Sequence, residues 1–191
     1  MKIAVLALQG DFAEHEAIFH RLNIPTCQLR QKSDLEQEFD ALVLPGGEST
    51  VQGKLLRELD MFDTLRSRIQ EGLPVMATCA GTILLAQQIL DDTAVHLGTL
   101  GISVRRNAYG RQLSSFHTTG TFGRLENCPM SFIRAPQIEF CVPGVEILAE
   151  HNGRITAVRQ GSQLAMTFHP EVTTDARIAG YFISEIVQAS R

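Results

Sequence analysis

Three short apolar runs, each ended by a turn containing small residues, constrain this chain more than any other feature. Ile3 to Leu8 runs into Gln9-Gly10, Ala41 to Leu44 into Pro45-Gly46-Gly47, and Pro74 to Thr78 into Cys79-Ala80-Gly81. A strand with no polar alternation is covered on both faces, which is the situation of a strand inside a parallel sheet. Parallel neighbours need crossover segments, and the intervening sequence supplies them. Phe12, Ala13, Ala17, Ile18, Phe19 and Leu22 follow helical spacing, and Pro25 then introduces an extended piece, Thr26 to Leu29. Ser49-Thr50-Val51-Gln52 has the form of a capping box and predicts a helix through about Arg68. Thr82 to Leu90 predicts another, with Gly81 at its junction. Alternation of this kind predicts an α/β fold: a three-layer open sheet, mostly parallel, with helices on both faces.

From about Val95 to Thr167 short β-like runs dominate. Glu146 to His151 and Arg154 to Val158 flank Asn152-Gly153, a strong hairpin signal, so an antiparallel section is expected to extend the sheet. Thr173 or Thr174 is placed to cap a last helix whose Ile178, Phe182, Ile183, Ile186 and Val187 form an inward stripe. No repeat or linker interrupts the 191 residues, and their number suits one domain spanning 1–191.

Composition narrows the function classes. Seventeen Lys and Arg against 21 Asp and Glu leave a formal charge of -4, so no basic footprint points to nucleic acid. No apolar stretch approaches a membrane span or a signal sequence, and the chain reads as cytoplasmic, with no membrane partner. The four cysteines, Cys27, Cys79, Cys128 and Cys141, contain no CxxC pair, which argues against a zinc knuckle or a disulfide framework.

Cys79 stands apart from the other three. Ala77-Thr78-Cys79-Ala80-Gly81 sets it at a strand-to-helix turn between small residues, the setting of a nucleophile elbow with Cys in place of Ser. The amino end of a helix there favours the thiolate. A proton shuttle is offered by Phe168-His169-Pro170-Glu171: proline biases His169 toward an extended backbone, where Glu171 falls on the same side and can orient the imidazole. Together these resemble a Cys-His-Glu triad. The other histidines, His15, His20, His96, His117 and His151, lack such a setting and read as surface or packing residues. Gly46-Gly47-Glu48-Ser49 brings backbone N–H groups close to a substrate, making Gly47 and Ala80 the expected oxyanion donors, although a plain βα turn fits the tetrapeptide equally. Arg106 and Arg134 suit a guanidinium fork for an α-carboxylate, or ordinary surface positions; composition does not decide between them.

Beyond the triad, Leu8-Gln9-Gly10, Leu44-Pro45-Gly46-Gly47-Glu48-Ser49-Thr50, Thr78-Cys79-Ala80-Gly81, Arg106-Asn107 with Gly110-Arg111-Gln112, Ile133-Arg134-Ala135-Pro136, Glu150-His151-Asn152-Gly153-Arg154 and Phe168-His169-Pro170-Glu171 cover nearly the whole chain. In these blocks the sequence resembles the class I glutamine amidotransferases, and within them the glutaminase subunits of pyridoxal phosphate synthases. The resemblance implies a flavodoxin-like sheet and hydrolysis of L-glutamine to L-glutamate and ammonia. It implies Cys79 as nucleophile, with His169 and Glu171 completing the triad. It also implies substrate contacts from Gly47, Glu48, Ser49, Arg106, Ile133 and Arg134, and delivery of ammonia to a synthase subunit in a large hetero-oligomer. Neither cofactor nor metal is implied. Thr82, where an aliphatic residue is expected, and Arg105, where an acidic one is common, depart from the pattern. A stand-alone cysteine hydrolase or protease, or a catalytically silent regulatory subunit, are the competing readings. A further expectation is that the free chain is a poor glutaminase and that docking to the synthase turns the Gly47 N–H toward the substrate.

Overall fold

The computed structural model describes residues 1–90, 92–106 and 115–190. Its first half follows the expected alternation: β1 Ile3–Leu6, α1 Phe12–Arg21, β2 Thr26–Leu29, a 3₁₀ turn Lys32–Glu36, β3 Ala41–Leu44, α2 Ser49–Glu58, α3 Phe62–Gln70, β4 Val75–Thr78 and α4 Ala80–Leu85. Next come β5 Ala86–Ile89, β6 Leu100–Arg105, β7 Ser115–Phe122, β8 Leu125–Ile133, β9 Gln137–Cys141, β10 Glu146–His151, β11 Arg154–Gln160 and β12 Gln163–Met166. A 3₁₀ turn Pro170–Val172, α5 Arg177–Tyr181 and a wider π turn Phe182–Val187 close the chain.

The described strands form one large sheet in the order β2-β1-β3-β4-β12-β11-β9-β6-β5, with β10 paired to β11. From β2 to β12 all neighbours are parallel, with Ile3 opposite both Thr26 and Ala41, Leu42 opposite Val75, and Thr78 opposite Met166. Side chains alternate across this sheet, so each central strand feeds two cores. Ile3, Val5, Val43, Met76 and Met166 meet Ile18 and Phe19 of α1 and Phe182 and Ile186 of the closing turn. On the opposite face Ala4, Leu6, Leu42, Leu44 and Ala165 meet Leu56 of α2, Leu65 and Ile69 of α3, and Leu84 of α4. The uninterrupted apolar runs are explained by this two-sided burial.

The antiparallel extension is present in β11, β9, β6 and the β10–β11 hairpin, whose Asn152 and Gly153 adopt φ of 51° and 71°. β7 and β8 do not join it; they pair only with each other as a separate ribbon. That ribbon packs Phe122, Cys128, Met130 and Phe132 into the first core.

Four local expectations are corrected. The helix from Ser49 stops at Glu58 and restarts at Phe62, because Asp60 takes a left-handed φ of 54°. Its N-cap is Glu48 rather than Ser49: the Glu48 carboxylate accepts from the Thr50 N–H at 3.4 Å and the Thr50 hydroxyl at 2.9 Å. Gln52 turns inward and donates to the Gln9 and Pro45 carbonyls at 2.9 and 3.2 Å, so no Ser-Gln capping box forms. The apolar stretch from Thr82 leaves the helix at Leu85 and becomes β5, an outcome that a short apolar run cannot reveal by periodicity. Finally, α5 begins only at Arg177 with no side-chain cap, while the Thr173 hydroxyl bonds the Pro170 carbonyl at 2.9 Å. The Ile178, Phe182, Ile183, Ile186 and Val187 stripe is buried as expected.

Candidate active site

Chain direction reverses its lateral progress after β1: β2 lies on one side and β3 on the other, which opens a crevice at the carboxyl ends of the parallel strands. Gln9, Gly10 and Asp11 follow β1, Gly47, Glu48 and Ser49 follow β3, Cys79 and Ala80 follow β4, and His169 follows β12. All of them line one cavity of about 600 Å³, together with Arg106, Ile133 and Arg134. The β7–β8 ribbon therefore matters to the site: β8 ends at Ile133 on its wall.

Cys79 has φ 46° and ψ −103°, a conformation that a residue with a Cβ adopts only when its surroundings enforce it. They do so from both sides. Its N–H donates to the Met166 carbonyl at 2.9 Å, and its own carbonyl accepts from the Thr82 and Ile83 N–H groups. Gly81 packs so close to β3 that a Cβ there would lie 2.1 Å from the Leu44 carbonyl oxygen. The Thr82 hydroxyl donates to Met166 O at 2.7 Å, so this unusual residue satisfies its polarity behind the elbow. First-turn N–H groups have no intrahelical acceptor, so the Ala80 N–H, at the start of α4 on the cavity wall, has no partner within its helix.

His169 leaves β12 with its backbone extended, at φ −110° and ψ 89°, before Pro170 starts the 3₁₀ turn that holds Glu171. Its Nδ1 lies 2.6 Å from Glu171 Oε1, and its N–H donates to Ser131 O of β8 at 2.8 Å. Burial opposes a charge on the ring, but hydrogen bonds to the Cys79 side chain and to Glu171 outweigh it and raise the pKa to about 10. With Nδ1 engaged by the carboxylate, Nε2 serves Cys79. Burial likewise pushes the Glu171 pKa up, and the facing imidazoles of His15 and His169 bring it below the ordinary carboxylate value. The arrangement holds an imidazolium between a sulfur and a buried carboxylate, which suits a nucleophile that needs a proton donor beside its leaving group.

Over residues 5–188 the chain matches the SNO glutamine amidotransferase family. It is a member of that family. Curated relatives include a Desulfitobacterium hafniense protein, 53% identical over 97% of this chain and 94% of its own, and a Methanocorpusculum labreanum protein, 49% identical over 97% and 98%. Both carry the name pyridoxal 5'-phosphate synthase subunit PdxT. A crystal structure of a glutamine amidotransferase superposes with a TM-score of 0.92 at 44% identity, covering 97% of this chain and 98% of that one.

In this amidotransferase two arginines join the cavity lining. Arg106 lines it while paired to Asp92 at 2.9 Å, and Arg134 sits at a left-handed φ of 43° directly after Ile133, whose side chain is exposed. Asn107, Gly110, Arg111 and Gln112 lie outside the described residues. Arg105 turns away from the site and pairs with Glu139 of β9 at 2.9 Å. The turn after β3 is tied by side chains: Gln9 Oε1 accepts from the Glu48 N–H at 2.7 Å, and the inward Gln52 amide grips the Gln9 and Pro45 carbonyls.

Two residues near the triad went unmarked in the sequence. Asp11 places Oδ2 3.4 Å from His169 Nδ1, and burial is the main cause that raises its pKa. His15, read above as a surface or packing residue, is fully buried with Nε2 3.5 Å from Glu171 Oε1. Their i, i+4 spacing at the start of the helix after β1 was the available signal, because it points both at the carboxyl end of the sheet. Asp11, His169 and Glu171 are the one described group whose ligand-type atoms lie within 4.8 Å of one another. His169 Nδ1 in that group already bonds Glu171, so the set is arranged to hold a proton.

Among the described residues no helix is long and apolar enough to cross a membrane.

Proposed function

We propose that this chain is the glutaminase subunit of a pyridoxal 5'-phosphate synthase, and that residues 1–191 act as one cytoplasmic glutaminase domain. Family membership and the PdxT relatives support the activity and the kind of partner. The observation that carries the assignment to residues is the hydrogen-bonded line from Cys79 through His169 to the buried Glu171. Cys79 sulfur attacks the side-chain carboxamide carbon of glutamine, and the oxyanion is met by the Gly47 and Ala80 N–H groups. His169 gives its proton to the departing nitrogen, which leaves as ammonia. The same ring then takes a proton from water as the water attacks the glutamyl thioester. Collapse of that adduct expels the Cys79 thiolate and releases glutamate. Glu171 holds the imidazole tautomer and stabilises its cation throughout. Arg106 and Arg134, with Glu48, Ser49 and Ile133, hold the non-reacting end of the substrate. No step uses a metal or cofactor.

Ammonia passes to a synthase chain in a large hetero-oligomer, and docking of that chain sets the Gly47 peptide in its working orientation. The test is ammonia release from glutamine by the full chain, measured alone and with its synthase partner. Turnover that rises on adding the partner is expected. Absence of glutamine turnover in both conditions would remove the activity, and equal rates would remove the activation.

A further inference from the structure

His15 lies one helical turn beyond Asp11 on α1, and its imidazole reaches two places at once. Its Nε2 is 2.9 Å from the Thr78 hydroxyl and 3.5 Å from Glu171 Oε1. Thr78 directly precedes Cys79, and Glu171 Oε1 is the same oxygen that holds His169 Nδ1. One ring from α1 therefore touches both the strand that presents the sulfur and the carboxylate that orients the base. An imidazole buried only for packing would be costly, since polar groups without partners destabilise an apolar interior.

The network also fixes the protonation pattern. His15 Nδ1 has no partner among the described residues, so a proton there would be a buried donor with no acceptor. The proton is thereby assigned to Nε2, which donates to the Thr78 hydroxyl and faces Glu171 Oε1 at 3.5 Å. Charged or titratable groups facing the ring are Asp11 and Glu14 from the start of α1, and His169 and Glu171 from the turn after β12. Burial is the strongest influence on the ring and lowers its pKa, which keeps it neutral. A neutral donor has a specific use here. His169 alternates between cation and neutral ring in each turnover, and whenever it is neutral the buried Glu171 carboxylate loses its charged hydrogen-bond partner. The His15 N–H stays in place through both halves of the cycle.

Resting on the glutaminase reading above, we propose that His15 is a positioning residue whose Nε2–H donates to the Thr78 hydroxyl and whose ring, 3.5 Å from Glu171 Oε1, keeps that carboxylate seated against His169. The test uses His15→Ala, His15→Gln and His15→Asn in the full chain, assayed with the synthase partner for kcat and KM. The ¹⁵N NMR titration of His169 is followed in each variant. Gln carries an N–H near the Nε2 position and Asn is too short to reach it. Expected for His15→Ala is a kcat loss of about 10- to 100-fold, the range seen when a group orienting a site ligand is removed. KM should change by less than about twofold, as expected when uniform substrate binding is left intact, and the His169 midpoint should move down from about 10. His15→Gln should recover most of kcat and the midpoint, and His15→Asn should not. Altered thermal stability with unchanged kcat and midpoint would overturn the proposal, leaving His15 a packing residue. Should His15→Ala fail to fold, the Gln and Asn variants decide it, and equal turnover by those two would overturn it. Cys79→Ser run in parallel separates the levels: retained turnover there overturns the glutaminase reading and this proposal together. An inactive Cys79→Ser beside an unaffected His15→Ala overturns the proposal alone.

Discussion

The turn from β4 into α4 and the turn from β3 into α2 sit side by side on neighbouring parallel strands, yet they are held by different means. At the first, a residue with a Cβ occupies a strained left-handed conformation, and backbone contacts lock it: Cys79 N–H to Met166 O, the Thr82 hydroxyl to the same carbonyl, and Gly81 against Leu44 O. At the second, glycine removes the strain, since Gly47 has φ 148°, and the ties are the side-chain amides of Gln9 and Gln52. A nucleophile must keep one position, and close backbone packing provides that. The oxyanion donor proposed at Gly47 would reorient when the partner docks, and a glycine peptide tethered by flexible side chains can do so at low steric cost.

The sharpest way to break this contrast is at the sulfur. Cys79→Ser should cut glutamine turnover by at least about 10³-fold, because members of a triad act as a unit, while circular dichroism and partner binding stay unchanged. Retained turnover would take the nucleophile off the rigid turn altogether. Next come the two glycines, which should fail differently. Gly47→Ala puts a Cβ 2.5 Å from the movable Gln9 Oε1 in a backbone conformation that L side chains rarely adopt, and should lower kcat well beyond the modest loss of stability that this strain costs. Loss of one oxyanion donor typically costs about 10²- to 10³-fold. Gly81→Ala drives a Cβ into the immovable Leu44 carbonyl and should instead destabilise the fold by roughly 1–3 kcal/mol, the usual cost of overpacking. Denaturation curves and steady-state rates on both variants check this, and matching losses in the same quantity would dissolve the distinction.

A pH-dependent effect concerns His169, on the rigid side. Its folded pKa of about 10 lies above the ordinary 6.5, so its pairing stabilises the fold fully below pH 6.5 and that contribution is gone once pH passes about 10. The stability gap between wild type and His169→Gln, measured by denaturant titration, should therefore shrink steadily between those limits. A gap that widens with pH would reverse the assigned direction.

How much of this was legible in advance varies with the kind of signal. The central strands were readable because two-sided burial leaves them almost wholly apolar, and the Asn152-Gly153 hairpin because few residues tolerate two left-handed positions in succession. The helix end at Leu85 was not readable. Its apolar continuation into Ala86–Ile89 suits a helix or a strand equally, and pairing with β6 decided between them. Glu48 displaced Ser49 as N-cap because the inward pull on Gln52 by the Gln9 and Pro45 carbonyls leaves no box to close.

The candidate site divides along the same line. Cys79 with its small neighbours, and His169 with Pro170 and Glu171, announce themselves because their local chemistry is carried by adjacent residues. His15 and Asp11 do not, since a histidine on a helix looks the same whether it faces solvent or a carboxylate 156 positions away. Sequence by itself determined which segments must be buried on both faces and which residues carry reactive chemistry, because those are properties of composition and short-range spacing. Tertiary structure alone decided that the ends of β1, β3, β4 and β12 meet at one crevice, that the β7–β8 ribbon walls it, and that α1 places an imidazole behind Glu171. Those outcomes depend on strand order and on contacts between distant residues, which only the packed sheet brings within hydrogen-bonding reach.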